Sequence, residues 1–220
     1  FHDNLKELIS NKKDDQEIFD GITSRHVNAY YSTLVKGLTA KVFRTYLASS
    51  VVSKYLRNHD NIKSESNMKK LFHAKLANLN AAKMCNHKRT IPKNFDQTLQ
   101  KKKDTLHNVE KTKPWKKSEE SLKKTQDKIT KTEKQKKMQR KQIKKIKTVI
   151  KKKKANHVDR IEKLQLQIDL TQKTRDYNLG TSLRNYIDPR IFKTWTDEIG
   201  AEWEKLYTSA LQKKFLWVKN

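Results

Sequence analysis

An all-α fold is predicted by three features: a scarcity of helix breakers, apolar residues at helical spacing, and a long lysine-rich tract without glycine. Only 4 Gly and 3 Pro occur in 220 residues, so turns are few and elements long. Apolar residues recur at threes and fours rather than alternating, the period of a helix with one buried face. The expected architecture is a helical subdomain over 1–92, a long antiparallel coiled-coil linker over 93–175, and a small helical C-terminal domain over 176–220.

Taken in order, Phe1, Leu5, Leu8 and Ile9 have helical spacing, and Ile18 with Phe19 forms a short apolar patch before Gly21. Thr23 or Ser24 can cap a helix whose inward face is Val27, Tyr30, Tyr31, Leu34 and Val35, ended by Gly37. Thr39 caps the next helix, through about Asn58, with a stripe of Val42, Phe43, Tyr46, Leu47, Val51, Val52, Tyr55 and Leu56. Lys41 and Arg44 lie three apart, on one face and off that stripe. A polar connection from His59 to Ser66 leads to a third helix carrying Met68, Leu71, Phe72, Leu76, Leu79 and Ala82. It ends near Cys85-Asn86-His87-Lys88-Arg89, and Pro92 follows as a stop.

The composition then shifts. Residues 97–175 hold 27 Lys and Arg against 9 Asp and Glu, two thirds of the chain's net +27. Leu122, Ile129, Ile143, Ile146, Ile150, Ile161, Leu164 and Ile168 form an apolar seam too narrow for a globular core. Folding back as two antiparallel helices buries that seam, with a tip between Lys128 and Met138 and a break in the first arm at Pro114. The alternative is a disordered lysine-rich linker.

Such a positive field selects a polyphosphate partner, above all nucleic acid. No run approaches the roughly 18 apolar residues of a membrane span, and the N-terminus has no signal-peptide pattern. Cys85 is the only cysteine. It excludes an intrachain disulfide and a cysteine-based zinc framework, and it suits a reducing compartment. The chain starts at Phe1, without methionine and inside an apparent element, and reads as a piece of something longer.

Near the C-terminus, Gly180 is expected to stop one helix, Thr181 or Ser182 to cap a short one, and Asp188 with Pro189 to open the next. Tyr186 is thereby held between two helix boundaries. On its own, a tyrosine flanked by Asn185 and Ile187 reads as packing. Beyond it, Ile191, Phe192, Trp195 and Ile199 form one face closed by Gly200, and Trp203, Leu206, Leu211, Phe215, Leu216 and Trp217 form a second cluster. So apolar an end piece must dock, and the N-terminal helices are the available surface. Docking there would return Tyr186 to Arg44 and His87.

Three stretches carry a more specific signal: Gly37-Leu38-Thr39-Ala40-Lys41-Val42-Phe43-Arg44-Thr45-Tyr46, Cys85-Asn86-His87-Lys88-Arg89, and Asn185-Tyr186-Ile187-Asp188-Pro189-Arg190. In sequence and order they resemble the active-site motifs of the eukaryotic type IB DNA topoisomerases, which also place a basic coiled-coil linker between histidine and tyrosine. The related tyrosine recombinases have His-x-x-Arg where this chain has Lys41-Val42-Phe43-Arg44, and they lack the linker. The resemblance implies a nuclear enzyme that relaxes supercoiled double-stranded DNA through a 3′-phosphotyrosyl intermediate, strand rotation and religation, with no ATP, cofactor or obligatory metal. It implies Arg44, His87 and Tyr186 as catalytic residues and Lys41, Arg89 and Asn185 as DNA-binding residues, Asn185 at a position that contacts camptothecin-type inhibitors in the family.

The residue types suit that chemistry. A free phenol lies about three pKa units from ionisation at neutral pH, about 4 kcal/mol, so the site must stabilise both phenolate and phosphorane. Arginine offers a fixed fork of donors for non-bridging oxygens, and a histidine donor adds a third directed contact. In isolation these two would be a surface arginine and a helix C-terminal histidine. Two departures stand out. Leu183 follows Ser182 where the family has lysine, the basic residue being Arg184. The family's other arginine and its lysine general acid lie upstream of the residues matching Phe1, so the upstream half of the enzyme is an expected partner and the isolated chain is expected to be inactive. The rival reading is a non-enzymatic basic coiled-coil protein that binds nucleic acid by charge alone.

Overall fold

The computed structural model describes residues 1–219, leaving Asn220 outside. Within them the chain forms ten α-helices and no strand: α1 (His2–Ile9), α2 (Ser24–Leu34), α3 (Ala40–Arg57), α4 (Asn67–Met84), α5 (Phe95–Lys111), α6 (Lys116–Gln126), α7 (Glu133–Lys173), α8 (Leu179–Asn185), α9 (Pro189–Ile199) and α10 (Ser209–Lys214). The all-α expectation is met. Most boundaries follow from local chemistry. Thr23 and His26 form a reciprocal cap on α2, Ser66 accepts the Lys69 N–H on α4, and Asp188 with Pro189 opens α9. Thr39 holds the cap position of α3, yet the side chain that serves that helix is Asn28, whose Oδ1 accepts the Ala40 N–H at 3.0 Å.

The core forms where α3 and α4 lie side by side. Ala48, Val52 and Leu56 cluster with Ala74, Ala77, Ala81 and Cys85, and the small residues let the two backbones approach closely. Onto this pair packs the C-terminal segment through Ile187, Phe192, Trp195, Ile199, Trp203, Tyr207, Leu211 and Phe215. The expected dock is therefore present. It closes at Gly200, whose φ of 66° lets the Ala201 N–H reach the Thr196 carbonyl at 2.7 Å. Two details differ from expectation: Leu216 and Trp217 stay exposed, the latter under the Arg190 guanidinium, while Tyr207 is buried in their place.

The apolar faces assigned to α2 and the start of α3 are not buried. Tyr30, Leu34, Val35, Val42, Phe43, Tyr46 and Leu47 are all exposed, Tyr46 to 70%. Burial on α3 begins at Ala48. The stripe is real, but only its C-terminal half is buried within this chain; in the other half Phe43 meets the Tyr31 ring of α2 at 5.2 Å and stays exposed.

Between core and C-terminal segment the basic tract folds back on itself. Lys102 Nζ donates to Thr171 Oγ1, Lys153 Nζ to Ser118 Oγ, and Gln139 Nε2 to the Thr125 carbonyl. These pairs advance along one arm while retreating along the other, so α5 and α6 run antiparallel to α7. The first arm is interrupted at 112–115, around Pro114, and the turn lies at 127–132, next to the reciprocal cap of Thr132 and Gln135 that starts α7. With 41 residues, α7 is about 60 Å long. Ile150 and Ile168 are buried in the seam and Val109 joins them, whereas Ile129 sits in the turn and is 88% exposed. Trp115 packs in a T-shaped contact with buried His157, with Lys154 over its ring and paired to Glu119.

Phe192 is 1% exposed within the cluster that unites the C-terminal segment with α3 and α4. Phe192→Ala should lower unfolding free energy by about 3–5 kcal/mol in chemical denaturation, and Ile129→Ala should change it by less than about 0.5. Equal effects would contradict the burial pattern.

Candidate active site

Four chain segments meet at Tyr186. The first is the opening of α3, which carries Lys41 and Arg44 one turn apart. Lys41 Nζ lies 5.8 Å and the Arg44 guanidinium carbon 5.3 Å from the centre of the Tyr186 ring. Arg44 also donates through Nη2 to the Cys85 carbonyl, which ties it to the end of α4.

The second segment is that helix end. Asn86 adopts a left-handed φ of 53°, so the His87 N–H turns back to the Ala82 carbonyl at 2.8 Å and the Asn86 N–H to Lys83 at 3.0 Å. This is the six-to-one and five-to-two pairing of a Schellman end, made with asparagine in place of glycine. The turn delivers the His87 ring to 5.0 Å from that of Tyr186.

The third segment is the strap after α7. The Asn178 N–H donates to the His87 carbonyl at 2.8 Å, Lys88 and Tyr177 form an antiparallel bridge, and the Arg89 N–H donates to Asp176 at 2.9 Å. The Arg89 guanidinium donates to the carbonyls of Thr174 and Arg175 at 3.2 and 3.4 Å, satisfying the open end of α7. Arg89 thus fastens the long hairpin to the histidine segment.

The fourth segment bears the tyrosine. Asn178, not Thr181 or Ser182, caps α8: its Oδ1 accepts from Gly180 and Thr181 at 3.0 and 3.4 Å. Gly180 lies inside α8 rather than ending α7, and a Cβ there would press on that same oxygen at 3.3 Å. Ser182 is fully buried, and its Oγ lies 2.8 Å from His87 Nδ1. Ser49, on α3, spans the tyrosine backbone by accepting the Asp188 N–H at 3.0 Å and donating to the Tyr186 carbonyl at 3.4 Å. Leu183 packs against the core while Arg184 and Asn185 are exposed.

Arg44, His87, Lys41 and Tyr186 are therefore brought together from widely separated positions. Asn185 stands beside them at the surface, and Arg89 is engaged with α7. Sequence reasoning did not find Ser49 or the role of Ser182, since a serine within a helical pattern carries no signal of a partner across the fold. No cluster of three or more His, Cys, Asp or Glu suited to a metal occurs among the described residues. None of their helices is long and apolar enough to cross a membrane.

Partial burial, and secondarily the charge of Arg44, hold His87 below its ordinary pKa of 6.5. The ring is thus neutral at pH 7 and donates through one nitrogen only. Because the folded value is the depressed one, the stability that His87 contributes is full above about pH 6.5 and is lost as pH falls through the folded pKa. An NMR titration should place its midpoint below 6.5. Arg44→Ala should raise that midpoint without restoring 6.5, since burial is the larger cause; an unchanged midpoint would refute the coupling to Arg44.

With this geometry in view, comparison with known proteins is specific. The family of the eukaryotic DNA topoisomerase I catalytic core matches residues 1–120, and the C-terminal topoisomerase domain matches residues 158–220. DNA topoisomerase 1 of Caenorhabditis elegans is 33% identical over 218 residues, covering 97% of this chain and 24% of the relative. DNA topoisomerase 1 of Homo sapiens is 33% identical over 214 residues, covering 97% and 27%. The mitochondrial DNA topoisomerase I of Rattus norvegicus is 32% identical over 222 residues, covering 99% and 35%. The chain thus spans about a quarter to a third of the length of these relatives. With both matched regions present in order and the intervening hairpin returning one to the other, this chain belongs to the eukaryotic DNA topoisomerase I family.

Proposed function

We propose that this chain is the tyrosine-bearing part of a type IB DNA topoisomerase: the end of a catalytic core over 1–92, a linker over 93–175 and a C-terminal domain over 176–220. The observation that carries the reading is the convergence of Lys41, Arg44 and His87 on the ring of Tyr186. A protein binding nucleic acid by charge alone has no use for that convergence. Tyr186 Oη, giving up its phenolic proton to water, attacks a backbone phosphorus of duplex DNA, the bond to the 5′-oxygen breaks, and the 3′-phosphate stays on the tyrosine. Arg44 and His87 donate to the non-bridging oxygens as charge builds on the phosphorane, worth about 3–4 kcal/mol for each such donor. Lys41 and Asn185 bind DNA beside the reacting phosphate, and Arg89 acts from the base of the hairpin. The 5′-oxygen must gain a proton as it leaves. That donor, and a further arginine, come from the upstream half of the enzyme.

The exposed apolar residues of α2 and α3 support a seat for that half. Tyr30, Leu34, Val35, Val42, Phe43, Tyr46 and Leu47 flank Lys41 and Arg44, so a segment covering them would bring its own residues to the same phosphate. The site of action proposed is the nucleus, although one relative is named as mitochondrial.

Mixed with its upstream half and end-labelled duplex DNA, then stopped with detergent, the chain should retain label on Tyr186. Tyr186→Phe should abolish the adduct and Arg44→Ala should reduce it about 10²- to 10³-fold. An undiminished adduct in Tyr186→Phe would sink the assignment. Without the upstream half, the missing arginine and acid should cost roughly 10⁴ to 10⁷ in rate, so equal cleavage by the chain alone would show that the site is complete as it stands.

The hairpin carries two thirds of the net charge. Removing it from the reassembled enzyme should preserve cleavage while weakening DNA binding and reducing its salt slope by about 0.9 per lost phosphate contact. An unchanged slope would mean that these lysines only solvate the helices.

A further inference from the structure

We infer that Ser182 is a positioning residue that fixes the tautomer of His87, its hydroxyl donating to Nδ1 so that the ring proton resides on Nε2. The inference rests on the catalytic reading above but uses different observations. Ser182 is fully buried, and the only hydrogen-bond partner its hydroxyl has among the described residues is His87 Nδ1, at 2.8 Å. Two arrangements satisfy that distance: the hydroxyl donates to a bare Nδ1, or Nδ1–H donates to the oxygen.

Burial separates the two. In the second arrangement the hydroxyl proton has no acceptor, and a buried donor left unmade is penalised more heavily than an unused lone pair. In the first, one hydrogen bond satisfies both groups. A neutral ring with a bare Nδ1 must carry its proton on Nε2, the nitrogen free to face a phosphate oxygen. The opposite tautomer would present a lone pair to an anion. Serine in α8 thereby converts a neutral histidine into an obligate donor, without requiring protonation beside Arg44.

The backbone holds this pair at both ends. His87 is set by the turn at Asn86 and by the Asn178 N–H on its carbonyl. Ser182 lies in the middle of a helix whose cap is that same Asn178, and its own carbonyl accepts the Tyr186 and Ile187 N–H groups at 2.9 and 3.2 Å. One residue therefore orients the donor through its side chain and the nucleophile through its backbone.

The first test is a long-range proton–nitrogen NMR spectrum of the 220-residue chain labelled with ¹⁵N-histidine, which distinguishes a bare ring nitrogen from N–H. His87 should show a bare Nδ1 and a protonated Nε2 at pH 7.5; a protonated Nδ1 in the wild-type chain overturns the proposal without need of any variant. In Ser182→Ala the two tautomers should mix, and cleavage by the chain with its upstream half should slow about 10- to 100-fold. That loss should vanish when Ser182→Ala is made in a His87→Ala background. An undiminished loss there, or wild-type tautomer and cleavage in Ser182→Ala, would show that the hydroxyl only fills space. If the wild-type mixture makes no adduct at Tyr186, the catalytic reading fails instead, and the tautomer measurement stands apart from it.

Discussion

The contact on which everything else depends is the seating of Ile187, Phe192, Trp195 and Ile199 against the small-residue face of α3 and α4. Tyr186 directly precedes the first of these side chains, so its position is set by core packing rather than by a loop. Each large apolar residue buried contributes about 1.5–3 kcal/mol. Four of them amount to roughly 6–12 kcal/mol, comparable with the whole stability of a domain. Interior packing is intolerant of small displacements, which is the property the catalytic role proposed for Tyr186 needs of its support.

That seating must bridge about a hundred residues between His87 and Tyr186. A flexible loop of that length would cost about 2 kcal/mol more to close than one of ten residues, from the logarithmic growth of closure entropy. The greater difficulty is precision, since a loose tether fixes neither distance nor angle. The hairpin solves both. Its arms return the chain to its starting point, and the Lys88–Tyr177 bridge with the Arg89 contacts welds entry to exit. Arg89 satisfies carbonyls at the end of a 41-residue helix through its donations to Thr174 and Arg175.

Much of this was legible in residues with one local meaning. Asp188-Pro189 can hardly be anything but a helix start, Gly200 supplies the positive φ that ends α9, and Pro114 breaks the first arm. Residues with two meanings misled. Gly180 looks like a helix stop, but its missing Cβ instead makes room for the Asn178 cap. Apolar periodicity on α2 and α3 reports that a face is buried without saying by what, so Val42, Phe43, Tyr46 and Leu47 read as core and are surface here. Ser49 and Ser182 were invisible because their partners lie about 90 to 140 positions away. A small polar residue at an inward helical position is an exception to binary patterning, and such exceptions concentrate at functional sites.

The electrostatic arrangement around Tyr186 follows from the same placement. Lys41 and Arg44 stand 5.8 and 5.3 Å from the centre of its ring, and the neighbouring His87 is held below its ordinary pKa by partial burial and secondarily by Arg44. A third full charge there would have to be desolvated against two like charges, a cost that rises as the local dielectric falls. A neutral donor avoids the cost and still offers an N–H to an oxyanion, provided that its proton is on the correct nitrogen. The burial that holds His87 neutral therefore makes a hydrogen bond to its other nitrogen necessary, and the fully buried Ser182 hydroxyl stands at that nitrogen.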